Sequence, residues 1–385
     1  MHTQTVAQKG NTSTVQILRD QRCNVPGLLR QRLARGGCAV VILNTVREAQ
    51  QMAQLLRHEL PEKDVMLVHA QYLMEDRAEW EKTLLRRLGK HSKPEDRNGL
   101  VVVATQVVEQ SLDIDCDLLM TQLCPMDLLL QRIGRLHRHQ RIRPQPLQKA
   151  TCIVLDPDDG TRVIYGDWLL QQTDRLLPEE ILLPDSIPKL VQETYAEPTE
   201  EAKKDPAWKK HEERLSDQKV SAKTFVLNAC RESKRPELNT LNGLLDASVQ
   251  DTERNGNAAV RDGAPGLEVL MLVRHPDGEI GLVPWHDGGR CFSAARTPDD
   301  EEALRIARQR IRLPHALCLD EDRTISALEN RTAHFVPEWQ HAPLLKGELF
   351  LLLDESLQAR LGSWRLAYHQ QDGLQYWKED DSGAE

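Results

Sequence analysis

The chain has 385 residues, 40 % of them hydrophobic and 28 % charged, with a formal net charge of −9. This is the make-up of a soluble globular protein of two or three domains, not of a collagenous, disordered or membrane-spanning one. No stretch approaches eighteen consecutive apolar residues, the opening "MHTQTVAQKG" lacks the apolar core of a secretory signal, and the eight cysteines include no C-x-x-C pair, which argues against a zinc or disulfide framework and for a reducing cytoplasm.

In chain order, "CAVVIL" (38–43) is a compact apolar run of the kind that forms a strand buried on both faces. "NTVREAQQMAQLLRHEL" follows; Thr45 and Glu48 have the spacing of a capping box, and Ala49, Met52, Ala53, Leu56 and Leu60 recur at helical spacing. "DVMLVHA" (64–70) is a second strand, "EDRAEWEKTLLRRL" a second helix, "LVVVAT" (100–105) a third strand, "DLLMTQ" (117–122) a fourth and "TCIVLD" (151–156) a fifth. Strands alternating with helices predict a parallel sheet with helices on both faces, with ligands beyond the carboxyl ends of the strands.

From 161 to 255 the pattern changes. "DWLLQQTDRLL" reads as helical, and the stretch 194–219 is dense in charge of both signs, which fits either a long solvated helix or a linker. "ERNGNAAVRDGAPG" (253–266) is rich in turn residues and marks a boundary. Beyond it, "LEVLMLVR" and "LFLLLDE" read as strands flanking a helix at "DDEEALRIARQRI", a small mixed α and β domain over 256–385.

The densest chemistry is "DLLLQRIGRLHRH" (127–139). From Leu128 to Lys149 there are six Lys or Arg and no Asp or Glu, whereas a solvated basic helix ordinarily carries compensating acids. Read as one helix, it puts Arg135 and Arg138 on one face, with Gln131 one turn before them. Arginine forks match phosphate oxygens, so this pair is suited to gripping a terminal phosphate.

The order Q-R-x-G-R-x-x-R resembles motif VI of superfamily 2 helicases, and "VVVATQVVEQSLDIDCD" (101–117) resembles motif V, with Ser111 where many members carry glycine. "VEQSLD" is similar to the version found in the helicase-nuclease of type I CRISPR systems, of the type I-E-like kind, which is recruited by the Cascade surveillance complex. "ILNTVREAQ", "LVHAQYLMEDR", "AAVRDGAPGLEVLML" and "LLKGELFLLLDE" extend that similarity over nearly the whole chain. The resemblance implies that Arg135 and Arg138 act as fingers on ATP, with Gln131 on phosphate. It also puts Asp113 on the ribose side and Thr105 on the nucleic-acid backbone.

A complete motor also needs a phosphate loop, G-x-x-x-x-G-K-[ST], and an acidic D-E-x-[HD] box for magnesium. "LGKHS" lacks the leading glycine; "LLLDES" (351–356) lacks the fourth acid or histidine and follows motif VI, so it reads as a strand end; "WHDGG" (285–289) reads as a loop rather than a metal-dependent nuclease motif. His137 and His139 read as polar neighbours of the fingers, and His69 as a packed or capping histidine.

The fold expected is α/β, a RecA-like parallel sheet over 1–160, a helical and charged linker over 161–255 and a mixed α+β domain over 256–385. The function implied is the C-terminal part of an ATP-dependent single-stranded DNA translocase in antiviral interference. Its ATP site is shared with a first RecA-like lobe that also holds Mg2+, and that lobe is expected on a polypeptide carrying the HD nuclease. Single-stranded DNA and Cascade are the expected partners, with no membrane and a cytoplasmic location. Two other readings stand beside it: a DNA- or Cascade-binding module without chemistry, and an inactive fragment.

Overall fold

The computed structural model describes residues 12–109, 112–223 and 266–378, without the side chains of 221–223. The chain divides into two compact units, one formed by Met1–Glu197 together with Glu268–Glu385, the other by Pro198–Leu267.

The first unit is built on a seven-stranded sheet in the order β3-β4-β2-β5-β6-β1-β7. Its strands are β1 (Ser13–Asp20), β2 (Ala39–Ile42), β3 (Asp64–Val68), β4 (Leu100–Ala104), β5 (Leu118–Gln122), β6 (Thr151–Leu155) and β7 (Glu180–Leu183). The first six run parallel and β7 pairs antiparallel with β1. The five expected strands are all present. β1 and β7 extend the sheet at one edge; the antiparallel β7 alone makes it mixed and carries it past residue 160.

Side chains of a strand alternate between faces, and the two cores follow that rule. Val40, Ile42, Val102, Ala104, Leu119 and Val154 face one side, against α3 (Met74–Leu88), α5 (Met126–Ile133), α7 (Asp167–Leu176) and α8 (Ile187–Thr194). Ala39, Val41, Val101, Val103, Leu118, Met120 and Ile153 face the other, against α1 (Val25–Arg32) and α2 (Val46–Glu59). Two short helices, α4 (Pro94–Arg97) and α6 (Asp159–Tyr165), fill the connections. Thr45 caps α2 by accepting from the Glu48 N–H at 3.3 Å. Only this half of the expected box forms, because the Glu48 carboxylate pairs with Arg22 and accepts from Gln122 Nε2 instead.

The C-terminal part of the same unit has β8 (Glu268–Arg274), β9 (Ile280–Gly281), β10 (Cys291–Phe292), β11 (Arg310–Arg312) and β12 (Phe350–Leu353), the last parallel to β8, and a separate antiparallel sheet of β13 (Gln358–Leu361), β14 (Trp364–His369) and β15 (Gly373–Lys378). The expected helix at 299–311 is shorter. Asp299 caps the helix Asp300–Ala307, and the following residues turn into β11. A further helix, Glu321–Phe335, packs on β12.

In the second unit the charged stretch forms an α-helix, Pro206–Lys223. The turn-rich boundary lies outside the described residues up to residue 265. Among the described residues no helix is long and apolar enough to cross a membrane.

The hairpin between β14 and β15 docks on the carboxyl end of β3. Gln50 Nε2 donates to the Asp372 and Leu374 carbonyls at 2.8 and 2.9 Å, the Leu374 N–H donates to Gln71 O at 2.9 Å, and Tyr72 Oη donates to Gln371 O at 2.7 Å. Gly373 has φ +68°, and a Cβ there would lie 2.4 Å from Gln71 O, so this turn requires glycine.

Candidate functional site

After β4 the chain makes one 3₁₀ turn, Gln106–Val108, and then buries Glu109. Gln110 and Ser111, the serine at the departure from the helicase pattern included, lie outside the described residues. From Leu112 the chain is extended, with bridges from Ile114 to Gly89 and from Cys116 to Leu136. Alternate residues of an extended chain share a side, and Asp113, Asp115 and Asp117 all turn toward the arginines of 132–143.

The single helix expected over 127–139 is not formed. α5 ends at Ile133 with Gly134 as its C-cap. Arg135 O then accepts from Cys116 N–H at 3.0 Å, Cys116 O accepts from His137 N–H at 3.1 Å, and His137 takes φ +50°. Pairing with the 112–117 segment wins over another helical turn because Gly134 is a poor helix former. Arg135 and Arg138 therefore share no helix face with Gln131, which stays exposed on the last turn of α5.

The acids missing from the basic run are supplied by the segment before it. Arg138 Nε donates to Asp113 Oδ1 at 2.6 Å, and His139 Nε2 is 3.2 Å from the same oxygen. The hydrogen bond from Arg138, ahead of the other contributions, holds the Asp113 carboxyl below its usual pKa. Arg141 Nε bonds Asp115 Oδ2 at 2.6 Å, Arg143 Nη2 bonds Asp115 Oδ1 at 2.9 Å and Arg143 Nη1 bonds Asp117; Arg97 Nη2 completes the cluster on Asp117 at 2.7 Å. Asp115 and Asp117 are buried, and three guanidiniums satisfy them. Such a cluster holds position rather than adding stability.

Arg132, which is not among the residues expected at the site, is fully buried. Its Nε donates to Glu109 Oε1 at 2.7 Å, its Nη1 to Thr121 Oγ1 at 2.8 Å and its Nη2 to Asn44 Oδ1 at 2.9 Å. The signal was available. Arg132 is three residues after Leu129 and next to Ile133, on the apolar side of α5, where a charge is buried only if it is paired.

Arg135 is different. Of the arginines between 132 and 143 it alone has no carboxylate in ion-pair contact among the described residues. Its Nη2 donates to the Glu109 carbonyl at 2.6 Å, while its Nε is buried without a partner. Burial, followed by the nearby Arg138 charge, lowers its pKa. An arginine without a carboxylate partner beside a second arginine leaves positive charge for an anion to answer.

The other expectations divide. Thr105 is at the end of β4 as expected and is buried, 2 % exposed. His137 Nε2 reaches the Asp117 carbonyl at 3.2 Å, and burial and Arg143 lower its pKa, so it is a neutral structural group. His69 is packed, stacked on Tyr72 at 4.3 Å. "WHDGG" is a turn whose His286 bonds Asp76 Oδ1 at 2.8 Å and Gln309 Oε1 at 2.9 Å. "LLLDES" is the end of β12, with Asp354 accepting from the N–H groups of Ser356 and Gln358. Among the described residues no group of three or more His, Cys, Asp or Glu is placed to hold a metal ion.

Comparison with known proteins gives the family. Residues 35–141 match the family model described as CRISPR-associated nuclease/helicase Cas3, C-terminal, and residues 261–374 match the Cas3 C-terminal domain. The CRISPR-associated nuclease/helicase Cas3 of Streptococcus thermophilus is 34 % identical over 366 residues, 90 % of this chain and 39 % of that protein. The CRISPR-associated endonuclease/helicase Cas3 of Escherichia coli K12 is 33 % identical over 286 residues, 71 % of this chain and 30 % of that protein. A crystal structure described as a CRISPR-associated protein superposes with a TM-score of 0.76 at 26 % identity, covering 98 % of this chain and 42 % of its own. Cas3 of T. fusca with AMPPNP shares the fold, with a TM-score of 0.75 at 22 % identity over 96 % of this chain and 43 % of its own. The chain thus spans well under half the length of the relatives it matches, and with their C-terminal regions in both sequence and fold, it belongs to the Cas3 family as a C-terminal helicase region.

Proposed function

We propose that this chain supplies the second RecA-like lobe and the C-terminal domain of an ATP-driven translocase on single-stranded DNA, acting in CRISPR interference with the Cascade complex. A first lobe and an HD nuclease, on another polypeptide or on further sequence of the same protein, complete it. The observation that carries this reading is the uncompensated guanidinium of Arg135, anchored by one hydrogen bond to the Glu109 carbonyl, with its Nε orphaned.

The residues present fit ATP on the lobe's side only. ATP supplies the phosphoanhydride whose cleavage drives movement, and the other lobe is expected to hold its magnesium. Arg135 meets the terminal phosphate directly. Arg138 is held by Asp113 and reaches phosphate by exchanging that carboxylate for a phosphate oxygen, a swap between two charge-assisted hydrogen bonds. Gln131, exposed at the end of α5, adds a neutral donor, and Asp113, once released, faces the ribose. Thr105, being buried, contributes to the DNA side by fixing the start of the loop that follows β4. The buried Arg132–Glu109 pair joins that loop to the arginine segment.

The test is DNA-stimulated ATPase of the chain mixed with a first-lobe and nuclease half. Arg135→Ala is expected to lower turnover about 10³-fold, the lower end for arginine fingers, with DNA affinity retained. Full turnover in that variant removes the finger assignment. Salt-dependent DNA binding with no ATPase in any mixture, although the other half binds ATP, favours a module without chemistry.

A further inference from the structure

Where the C-terminal part of the first unit meets the seven-stranded sheet, the joint encloses a histidine that the proposed chemistry does not use. His286 is 7 % exposed and lies in the turn between β9 and β10. Both ring nitrogens meet oxygen. Nε2 is 2.8 Å from Asp76 Oδ1 on α3, and Nδ1 is 2.9 Å from Gln309 Oε1, two residues beyond the helix Asp300–Ala307.

The partners' own hydrogen bonds fix what those oxygens do. Asp76 Oδ1 also accepts from Trp285 Nε1 at 2.9 Å. Tyr368 Oη on β14 accepts from the Leu73 N–H at 2.9 Å, which turns its own proton onto Asp76 Oδ2 at 2.5 Å. Asp76 therefore accepts at both oxygens, as a carboxylate does. The Gln309 amide is oriented by its Nε2, which donates to Glu75 Oε2 at 3.0 Å, so Oε1 faces the ring. A neutral imidazole has one N–H and one bare nitrogen. Here two acceptors each call for an N–H, and only the imidazolium has two.

The charges around the ring agree. Asp76 and Glu75 face it from α3, with Glu75 Oε2 3.7 Å from Nδ1. Tyr368 faces Asp76 from β14 as a neutral donor, because burial keeps its hydroxyl protonated. Asp287, beside His286 in the turn, is answered by Arg305 and Arg290. Arg305, on the helix before Gln309, is engaged by Asp287 and Glu301. Burial opposes a charge on the ring, but the hydrogen bonds to Asp76 and Gln309 outweigh it and hold the His286 pKa above its ordinary 6.5.

We propose that docking of the C-terminal part on the sheet is proton-linked: the His286–Asp76 pair takes up one proton as the joint closes and releases it as the joint opens. Protonated, the ring donates at both ends and bridges α3 to the segment before β11. Deprotonated, one bare nitrogen faces an acceptor oxygen in a buried site. Turning the Gln309 amide repairs nothing, because its oxygen then meets the Glu75 carboxylate. In the open joint the ring returns to its ordinary pKa. The stabilisation is therefore fully present below pH 6.5 and is lost as pH rises through the folded value, so alkaline conditions loosen the joint. A single proton sets the limit, an increase in opening of at most about tenfold per pH unit. The inference does not depend on the ATPase reading.

The experiment is limited proteolysis of the full chain from about pH 7 to 9, under conditions where cleavage of the C-terminal part follows the open fraction. Each rate is taken relative to Gln309→Met at the same pH, which cancels the protease's own pH dependence. That variant removes the oxygen on Nδ1, so a neutral ring donating to Asp76 suffices and the extra proton has no role. The original chain is expected to be the more resistant near pH 7 and to lose that advantage toward pH 9, by at most about tenfold per pH unit. In a chain labelled with 15N-histidine, one ring is expected to keep slowly exchanging protons on both nitrogens near pH 7, where an ordinary histidine is mostly neutral. That signal should be absent from His286→Gln and from Gln309→Met. If neither variant folds, the labelled original chain still decides: its doubly protonated ring must lose a proton over the same pH range in which cleavage accelerates. Parallel proteolysis profiles for the original chain and Gln309→Met overturn the proposal, and so does the lack of any slowly exchanging, doubly protonated ring near pH 7.

Discussion

Arg132 and Arg135, three residues apart in one basic run, have opposite circumstances. Arg132 is enclosed and answered by Glu109, Thr121 and Asn44. Arg135 is held by one carbonyl and otherwise unanswered. Removing one partner of a buried pair leaves an uncompensated charge, which typically costs about 3–5 kcal/mol. Arg132→Met is therefore expected to lower unfolding free energy by that order in urea titrations. The double variant Arg132→Met with Glu109→Leu should recover much of the loss, because no isolated charge then remains. A double variant no more stable than the single one counts against the pair as the cause.

At the scale of elements, α2, α3 and strands β2 to β6 were readable because their apolar periods are strong and local. β1 and β7 were not. "STVQILRD" buries fully only Val15 and Ile17, and "EILL" buries only Ile181, so neither shows a continuous apolar run. α5 was read too long because Gly134 is tolerated in a helix until a competing bridge forms, and the competitor, Cys116, is distant in sequence. The β14–β15 hairpin shows the same dependence on distant contacts. It rests on His69, whose Nδ1 accepts from the Gln71 N–H at 3.0 Å while Nε2 donates to the Asp372 carbonyl at 2.9 Å. Burial pushes the His69 pKa from 6.5 down to about 4. Above pH 6.5 the ring is neutral folded or unfolded. Below it the unfolded chain takes up a proton that the folded chain refuses, so stability falls as pH drops from 6.5 toward 4, by on the order of 3 kcal/mol. His69→Gln is expected to flatten that part of the stability profile in urea titrations across pH; an unchanged slope rules out His69 as its source.

At the scale of the molecule, Asp76 joins the sheet and the C-terminal part into one folding unit. It is 6 % exposed and accepts from Trp285 Nε1 at 2.9 Å, from His286 Nε2 at 2.8 Å and from Tyr368 Oη at 2.5 Å. All three donors come from beyond residue 280, and Tyr368 Oη in turn accepts from the Leu73 N–H at 2.9 Å. Asp76→Ala strands the three donors, each at a cost of about 1–3 kcal/mol. The expected result is that a single calorimetric transition of this unit splits in two and the C-terminal part becomes the first target of limited proteolysis. One unbroken transition shifted by less than a degree shows that the apolar contacts alone hold the parts together.

The sequence by itself determined the strands and helices with strong periods, the position of the arginine motif and the family it resembles, because these depend on residues within a turn or a strand of one another. Only the tertiary structure decided which arginine keeps an unspent charge. It also decided that Thr105 is buried, that the arginine segment leaves its helix, and that Asp76, Asp113, Asp115 and Asp117 are acceptors for groups elsewhere in the chain. Charge neutralisation and burial depend on what lies within a few ångströms in space, and here those partners are from 18 to almost 300 residues away in sequence.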